Sequence, residues 1–326
     1  MSHLVTIYGG SGFVGRYIAR RMAKEGWRVR VAVRKPNEAL FVRTYGVVGQ
    51  VEPVLCNVRN EASVASAIRG ARAVVNCVGI LSEVGKNTFQ SIQAEAPGCI
   101  ARAATQEGIE RLVHISAIGA DLEATSTYGQ TKRAGEKVIL SQYPQAVILR
   151  PSIIFGSEDQ FFNRFAALTK VSGVLPIVGA HTRFQPVYVD DVAKAAVCAV
   201  LSTVEGGVYE LGGPEIKTFR DLMQLMLRVI RRRRLIANVP FPIAASMGFL
   251  FDILNSASFG MIPAQITRDQ VRSLRRDNVV SDGAKGFADF GLSPLALEPI
   301  MEEYLWRFRP SGQYEKLKES AQSLDT

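Results

Sequence analysis

The chain has 326 residues, 47% of them hydrophobic and 21% charged, a globular balance that argues against disorder and suits a large α/β domain with a smaller lobe. The formal net charge of +9 favours acidic partners: phosphates, anionic lipid heads or an acidic protein surface. No nucleic-acid recognition module or aromatic-basic interleaving is visible, so nucleic acid is not expected among the partners.

The first element is a short apolar run, Leu4 to Tyr8, rich in β-branched and aromatic residues, which predicts a buried strand. It runs into Gly9-Gly10-Ser11-Gly12-Phe13-Val14-Gly15, and an amphipathic helix is predicted from Phe13 to Glu25. Strand, glycine turn and helix in that order make a dinucleotide-binding opening, whereas the glycines alone would fit any tight βα turn. Gly9 would allow the turn, Gly12 the approach of a pyrophosphate, and Gly15 close packing of helix on strand. The free N–H groups of the helix start would face the phosphates, with Ser11, Phe13 and Val14 as neighbouring contacts.

The second strand, Arg28 to Arg34, ends in Arg34 and Lys35. An acidic residue there would hold the ribose 2′-hydroxyl of NAD, and cations favour the 2′-phosphate of NADP, unless the pair is only a solvated basic turn before Pro36. Val51 to Val58 is the third strand, with Asn57 and Val58 placed to face an adenine ring. A short helix over Glu61 to Arg69 precedes a fourth strand, Ala71 to Val78, whose small-residue end includes Val78 and Gly79. A long helix is predicted over Phe89 to Glu107, then a fifth strand from Arg111 to Ser116. This alternation through residue 150 predicts a doubly wound parallel sheet, in which ligands gather at the C-terminal strand ends.

Tyr128 and Lys132 follow, i and i+4 on one face of a helix reaching about Gln142. A nearby ammonium can lower a phenol's pKa, so Tyr128 could act as acid or base at a carbonyl, with Ser116 supplying a third hydrogen bond. The bland alternative is a surface tyrosine and lysine near a helix start. The sixth strand, Ala146 to Ser152, carries Pro151, and Ile154 follows it; both are candidate cofactor contacts.

Beyond Gly156 the alternation lapses. Phe161, Phe162, Phe165 and Phe184 point to packing or an apolar ligand, and one of Asp190 and Asp191 is expected to cap the helix that follows them. Gly207 to Leu211 reads as a strand, and Thr218 as the N-cap of a helix from Phe219 to Ile230. Arg231 to Arg234 precede an apolar stretch, Ile243 to Leu254, too short to span a bilayer. That combination fits an anionic membrane surface or a partner protein, and equally an internal helix beside a solvated arginine run. Ile266 to Arg276 reads as a second basic helix. Cys56, Cys77, Cys99 and Cys198 lack CxxC spacing and are expected to be reduced and buried; the histidines His3, His114 and His181 lack metal-ligand spacing, so no metal site is expected.

Taken together, GGSGFVG at Gly9 to Gly15, Ser116, YGQTK at Tyr128 to Lys132 and RPSIIFG at Arg150 to Gly156 resemble an atypical extended short-chain dehydrogenase/reductase. ERLVHISAIGAD, AGEKVIL, IIFGSEDQFFNRFA, RFQPVYVDDVAKA, VPFPIA and ITRDQV resemble, more narrowly, the NADPH-binding accessory subunits of respiratory complex I, over nearly the whole chain from Leu4 to about Trp306. The resemblance implies a Rossmann-like domain, over 1–156 with a return at about 184–202, and a smaller C-terminal α/β lobe over 157–310; the polar, patternless tail over 311–326 is expected to be mobile. It also implies a structural NADPH and a place on the peripheral arm near the quinone module and the membrane. The expected partners are other complex I subunits of that arm and an anionic membrane surface. With the first strand starting at Leu4, a bacterial version at the cytoplasmic face of the inner membrane is expected. The complete Ser116, Tyr128 and Lys132 set leaves open a free-standing NADP-dependent oxidoreductase or nucleotide-sugar epimerase.

Overall fold

The computed structural model describes residues 3–121, 124–202, 204–246, 267–310 and 312. The apolar stretch beyond residue 246 and the tail from 313 onward lie outside the described residues.

Seven strands form one parallel sheet: β1 (Leu4–Tyr8), β2 (Arg28–Val33), β3 (Val51–Leu55), β4 (Ala73–Asn76), β5 (Arg111–Ile115), β6 (Val147–Pro151) and β11 (Gly207–Leu211), in the order β11-β6-β5-β4-β1-β2-β3. The order reverses between β1 and β4, which opens a crevice at the strands' C-terminal ends, the Rossmann-like α/β arrangement expected from the sequence. Side-chain alternation in β1 sorts its residues between the two faces. Val5 and Ile7 enter the core shared with α1 (Phe13–Lys24) and α6 (Val189–Leu201). Thr6 and Tyr8 face α2 (Glu61–Ile68) and donate to the carbonyls of Ala67 (2.9 Å) and Val64 (2.8 Å). The second face is completed by α3 (Ala96–Gln106) and α4 (Thr127–Gln142).

The chain leaves the sheet after β6. It returns through α6, and again as β11, the edge strand beside β6. A separate core lies between α5 (Phe162–Val171), α7 (Phe219–Val229) and α10 (Leu297–Leu305), with β8 (Val174–Val178) and β13 (Leu235–Val239) paired in parallel at its border. Phe161, Phe165, Phe184 and Phe219 contact one another at ring separations of 5.5–6.2 Å, so these aromatics pack against each other. The lobe is tied to the end of β7 (Ile154–Phe155) by Asp159, 2% exposed. Its carboxylate accepts from the N–H groups of Gly156, Phe161 and Asn163, and from the Tyr304 hydroxyl at 2.6 Å.

Three local expectations are corrected. Neither aspartate caps α6: Tyr188 is its N-cap residue, Asp190 is held in a bidentate ion pair by Arg21 of α1, and Asp191 accepts from Lys194 and from the Leu295 N–H. The long helix begins as a π-helical turn, Gln90–Glu95, before α3. Pro97 has no N–H for the Gln93 carbonyl, and Gly135 of α4 lies directly against that carbonyl. Among the cysteines only Cys56 is fully buried; all four are free thiols, and Cys77, Cys99 and Cys198 are partly exposed.

Asp159→Ala leaves buried donors without an acceptor and is expected to cost about 3 kcal/mol. Tyr304→Phe, which removes one of those donors, should cost about 1 kcal/mol. Urea midpoints of the two variants measure the difference, and equal midpoints would deny Asp159 its tie.

Candidate functional site

At the end of β1 the chain turns through Gly9, whose φ of +73° is the left-handed conformation that L side chains rarely adopt. Gly9 N–H donates to the Ala32 carbonyl of β2 at 2.9 Å, and Gly12 N–H to the Gly9 carbonyl at 2.9 Å. Gly12 then caps α1 without a side chain, and no acidic residue occupies the helix's first turn. The first-turn N–H groups of α1 thus present partial positive charge to the crevice. Gly15 fixes how near this helix start can come: a Cβ there would lie 2.7 Å from Gly10 Cα and press on the Gly9 carbonyl. Ser11, Phe13 and Val14 are half-buried around the turn.

The neighbouring strand ends converge on the same place. Val78 lies beside Gly9, its Cγ2 3.3 Å from where a Gly9 Cβ would be. Gly79 adjoins Lys132, whose Nζ is 3.4 Å from a Cβ built on that glycine. Phe13 reaches Gly156, just past Pro151 and the half-buried Ile154. Arg34 and Lys35 are exposed at the end of β2; Lys35 pairs with Glu38 at 2.7 Å, while Arg34 makes no hydrogen bond or ion pair among the described residues. Asn57 and the buried Val58 follow β3, where Asn57 accepts from Arg59 N–H and its own N–H donates to Ser63. A residue missed by sequence reasoning is Arg16, which folds over the Phe41 ring at 5.1 Å and donates to the Ser11 carbonyl, bracing the glycine turn.

The polar groups at the other end of the crevice differ from the sequence expectation. Ser116 does not turn toward Tyr128; its hydroxyl donates to Glu136 Oε1 at 2.5 Å. Glu136, fully buried, also accepts from Arg150 at 2.8 and 2.6 Å and from Arg133 at 3.0 Å. Sequence reading overlooked Glu136, although its spacing of four from Lys132 and three from Arg133 puts it on their helix face. Lys132 donates to the Ile115 carbonyl at 3.1 Å. Tyr128 is half-buried, with Phe89 edge-on at 6.0 Å, and its hydroxyl has no hydrogen bond among the described residues.

The charges follow this geometry. Burial pushes the Tyr128 phenol up to about 12, so the expected lowering by a neighbouring ammonium is not met, because desolvation dominates. Burial pulls Lys132 down to about 8, against the opposing pull of the Glu136 charge. His114, buried beside Asn76 at 3.1 Å, is held neutral by desolvation and by the Lys132 charge, and its Nε2 has no hydrogen-bond partner among the described residues.

What the arrangement can do is hold a dinucleotide. The uncapped start of α1 suits an anionic group such as a pyrophosphate, and Arg34 presents an exposed cation at the end of β2. Two surface hollows lie elsewhere, one of about 240 Å³ between α2 and α3 and one of about 520 Å³ in the second lobe beside Phe241.

The profile of the NAD dependent epimerase/dehydratase family matches residues 5–212. The mitochondrial NADH dehydrogenase (ubiquinone) 1 alpha subcomplex subunit 9 of Arabidopsis thaliana is 34% identical over 316 residues, which is 95% of this chain and 79% of that protein. A ceramide reductase of Caulobacter vibrioides is 28% identical over 255 residues, 78% of either chain. Among solved structures, the dTDP-glucose 4,6-dehydratase of Bacillus anthracis in complex with NAD has a TM-score of 0.69 over 98% of each chain, at 15% identity, a likeness of fold.

Lys132 supplies a pH test in the nucleotide-free protein. Its folded pKa of about 8 lies below the usual 10.5, so between those values the unfolded chain keeps a proton the folded one has released. Stability therefore rises with pH through that window. The expected gain over Lys132→Met is up to about 3 kcal/mol, read from denaturant midpoints at pH 7.5 and 10.5; a constant difference would refute the burial of the charge.

Proposed function

The chain belongs to the NAD dependent epimerase/dehydratase family, and on that premise we propose that it is a structural, NADPH-binding accessory subunit of respiratory complex I. In this reading it sits on the peripheral arm near the quinone module and stabilises assembly, at the cytoplasmic face of a bacterial inner membrane. The likeness to the plant NADH dehydrogenase subunit over 95% of the chain supports the setting. Residues 1–156, with the return at about 184–202 and the edge strand β11, would form the nucleotide domain, and the remainder of 157–310 the lobe that meets partners.

The observation that carries the structural role is the Ser116 hydroxyl held by Glu136. A hydroxyl donated to a buried carboxylate cannot at the same time donate to a substrate carbonyl beside Tyr128. Ser116 and Lys132 are engaged by Glu136 and by the Ile115 carbonyl and not by Tyr128, which supports a binding role over a catalytic one. NADPH would bring a hydride donor to this place. The chain's own residues would position it: Gly9, Gly12 and Gly15 with Ser11, Phe13 and Val14 at the pyrophosphate, and Arg34 and Lys35 at the 2′-phosphate. Asn57, Val58 and Val78 would flank the adenosine side, and Gly79, Tyr128, Lys132, Pro151 and Ile154 the nicotinamide side. Among the described residues no helix is long and apolar enough to cross a membrane; within the arginine run Arg232 and Arg234 are half-buried and donate to the carbonyls of Phe308 and Thr169, so the cationic surface proposed for anionic lipid is smaller than the run of four suggests.

A second reading, a free-standing NADP-dependent oxidoreductase or nucleotide-sugar epimerase with Tyr128 as acid/base, is favoured by the likeness to a bacterial reductase.

Gently solubilised membranes distinguish the readings. Under the structural reading the protein and its Tyr128→Phe variant co-migrate equally with NADH:quinone oxidoreductase activity; a soluble protein whose turnover Tyr128→Phe abolishes is an enzyme. Arg34→Asp should weaken NADPH about 10- to 100-fold while leaving NADH nearly unchanged, measured by nucleotide fluorescence titration. Equal losses would remove the 2′-phosphate assignment.

A further inference from the structure

From Thr267 to residue 281 the chain runs as a strap past the C-terminal ends of β5, β6 and β11. The strap begins with the short helix α9 (Arg268–Ser273), capped by a Thr267–Gln270 capping box that makes no use of Asp269. The Asp269 carboxylate instead reaches α4 and accepts from the backbone N–H groups of Thr127 (2.7 Å) and Tyr128 (3.0 Å). It supplies the acidic charge that the first turn of α4 lacks in its own sequence. Further on, Asn278 accepts from the Ser152 hydroxyl at 2.7 Å and the Ile153 N–H at 2.9 Å, directly after β6. Asp277 binds Arg183 at 2.7 Å. The strap therefore touches the nicotinamide end of the crevice at α4 and behind β6, and fastens the second lobe there.

We propose that Asp269 is a latch, a positioning residue that couples nucleotide occupancy at Tyr128 to closure of the second lobe. The proposal rests on the reading of the crevice as an NADPH site. A nucleotide that orders the first turn of α4 holds the two N–H groups on which Asp269 closes, and the closed strap in turn holds that turn against the nucleotide. Such coupling is reciprocal: whatever factor NADPH adds to strap closure, the closed strap adds to NADPH affinity. It gives a structural nucleotide a physical route to the lobe that meets partners.

The test uses the full chain, with amide hydrogen exchange followed by mass spectrometry in the presence and absence of saturating NADPH, and NADPH affinity measured by fluorescence. In the wild type NADPH should slow exchange in residues 267–281 as well as in the first turn of α4. Asp269→Ala should lose the nucleotide-dependent part of the strap's protection, about tenfold, and weaken NADPH by the same factor. Asp269→Asn keeps one acceptor oxygen and should restore part of both, and it carries the test should the alanine variant not fold. Strap protection that responds to NADPH equally in all three proteins overturns the latch. So does a wild-type strap that ignores bound NADPH. A wild type that binds no NADPH at all overturns the nucleotide reading itself, an outcome the fluorescence titration separates from the other two.

Discussion

The buried carboxylate of Glu136 is the constraint around which the crevice is arranged. A carboxylate without solvent exposure is tolerated only where charge and hydrogen bonds replace water. Here Arg150 from β6, Arg133 from its own helix and the Ser116 hydroxyl from the end of β5 do so together. Because these partners come from two strands and a helix, the charge can be satisfied only when α4 sits at one height on the sheet. That height places Lys132 against the Ile115 carbonyl and Tyr128 edge-on to Phe89. Arg150 also faces Glu210 of β11 at 3.5 Å, so the edge strand is drawn into the same network.

The opposite end of the crevice works by leaving polar groups unsatisfied. Gly12 offers α1 no side-chain cap, and the first turn has no acid, whereas α2 and α7 are capped by Asn60 and Thr218. Typical side-chain caps are worth about 1 kcal/mol, so an uncapped start in the middle of a packed sheet is a local cost that an anion can offset. The crevice thus has a polarised axis, with exposed N–H dipoles at the glycine turn and a self-compensated charge cluster at the α4 end.

Much of this was legible in the sequence because local chemistry decides it. The strand–glycine–helix opening depends on residues within one turn of each other, and β1, β2 and β5 follow from β-branched runs that tertiary contacts only reinforce. The Thr218 cap is likewise a local contact, and its capping box with Asp221 is present. What escaped depends on partners far along the chain. Ser116 and Glu136 are separated by 20 residues, and Arg150 lies 14 beyond Glu136. Asp190, expected to cap α6, lies inside the first turn behind the N-cap residue Tyr188, where an arginine 169 residues away pairs with it. Asp269 sits in a segment whose sequence reads only as basic; the acid's role appears once α9 lies against α4.

Binding and catalysis make different demands on such a crevice, and the residues here separate them. Holding a dinucleotide requires close backbone approach, an anion-friendly helix start and a cation for any extra phosphate, all of them features of the ground state. Accelerating a hydride transfer requires groups whose interactions strengthen as charge develops on the carbonyl oxygen. A serine already committed to a buried carboxylate gains nothing as that charge appears, and a phenol raised to about 12 gives up its proton less readily than an unburied one. Re-aiming Ser116 would strip Glu136 of a donor and unsettle the cluster that seats α4. The interaction that seats α4 also holds the Ser116 hydroxyl on Glu136, and on the proposed reading the crevice is a binding site.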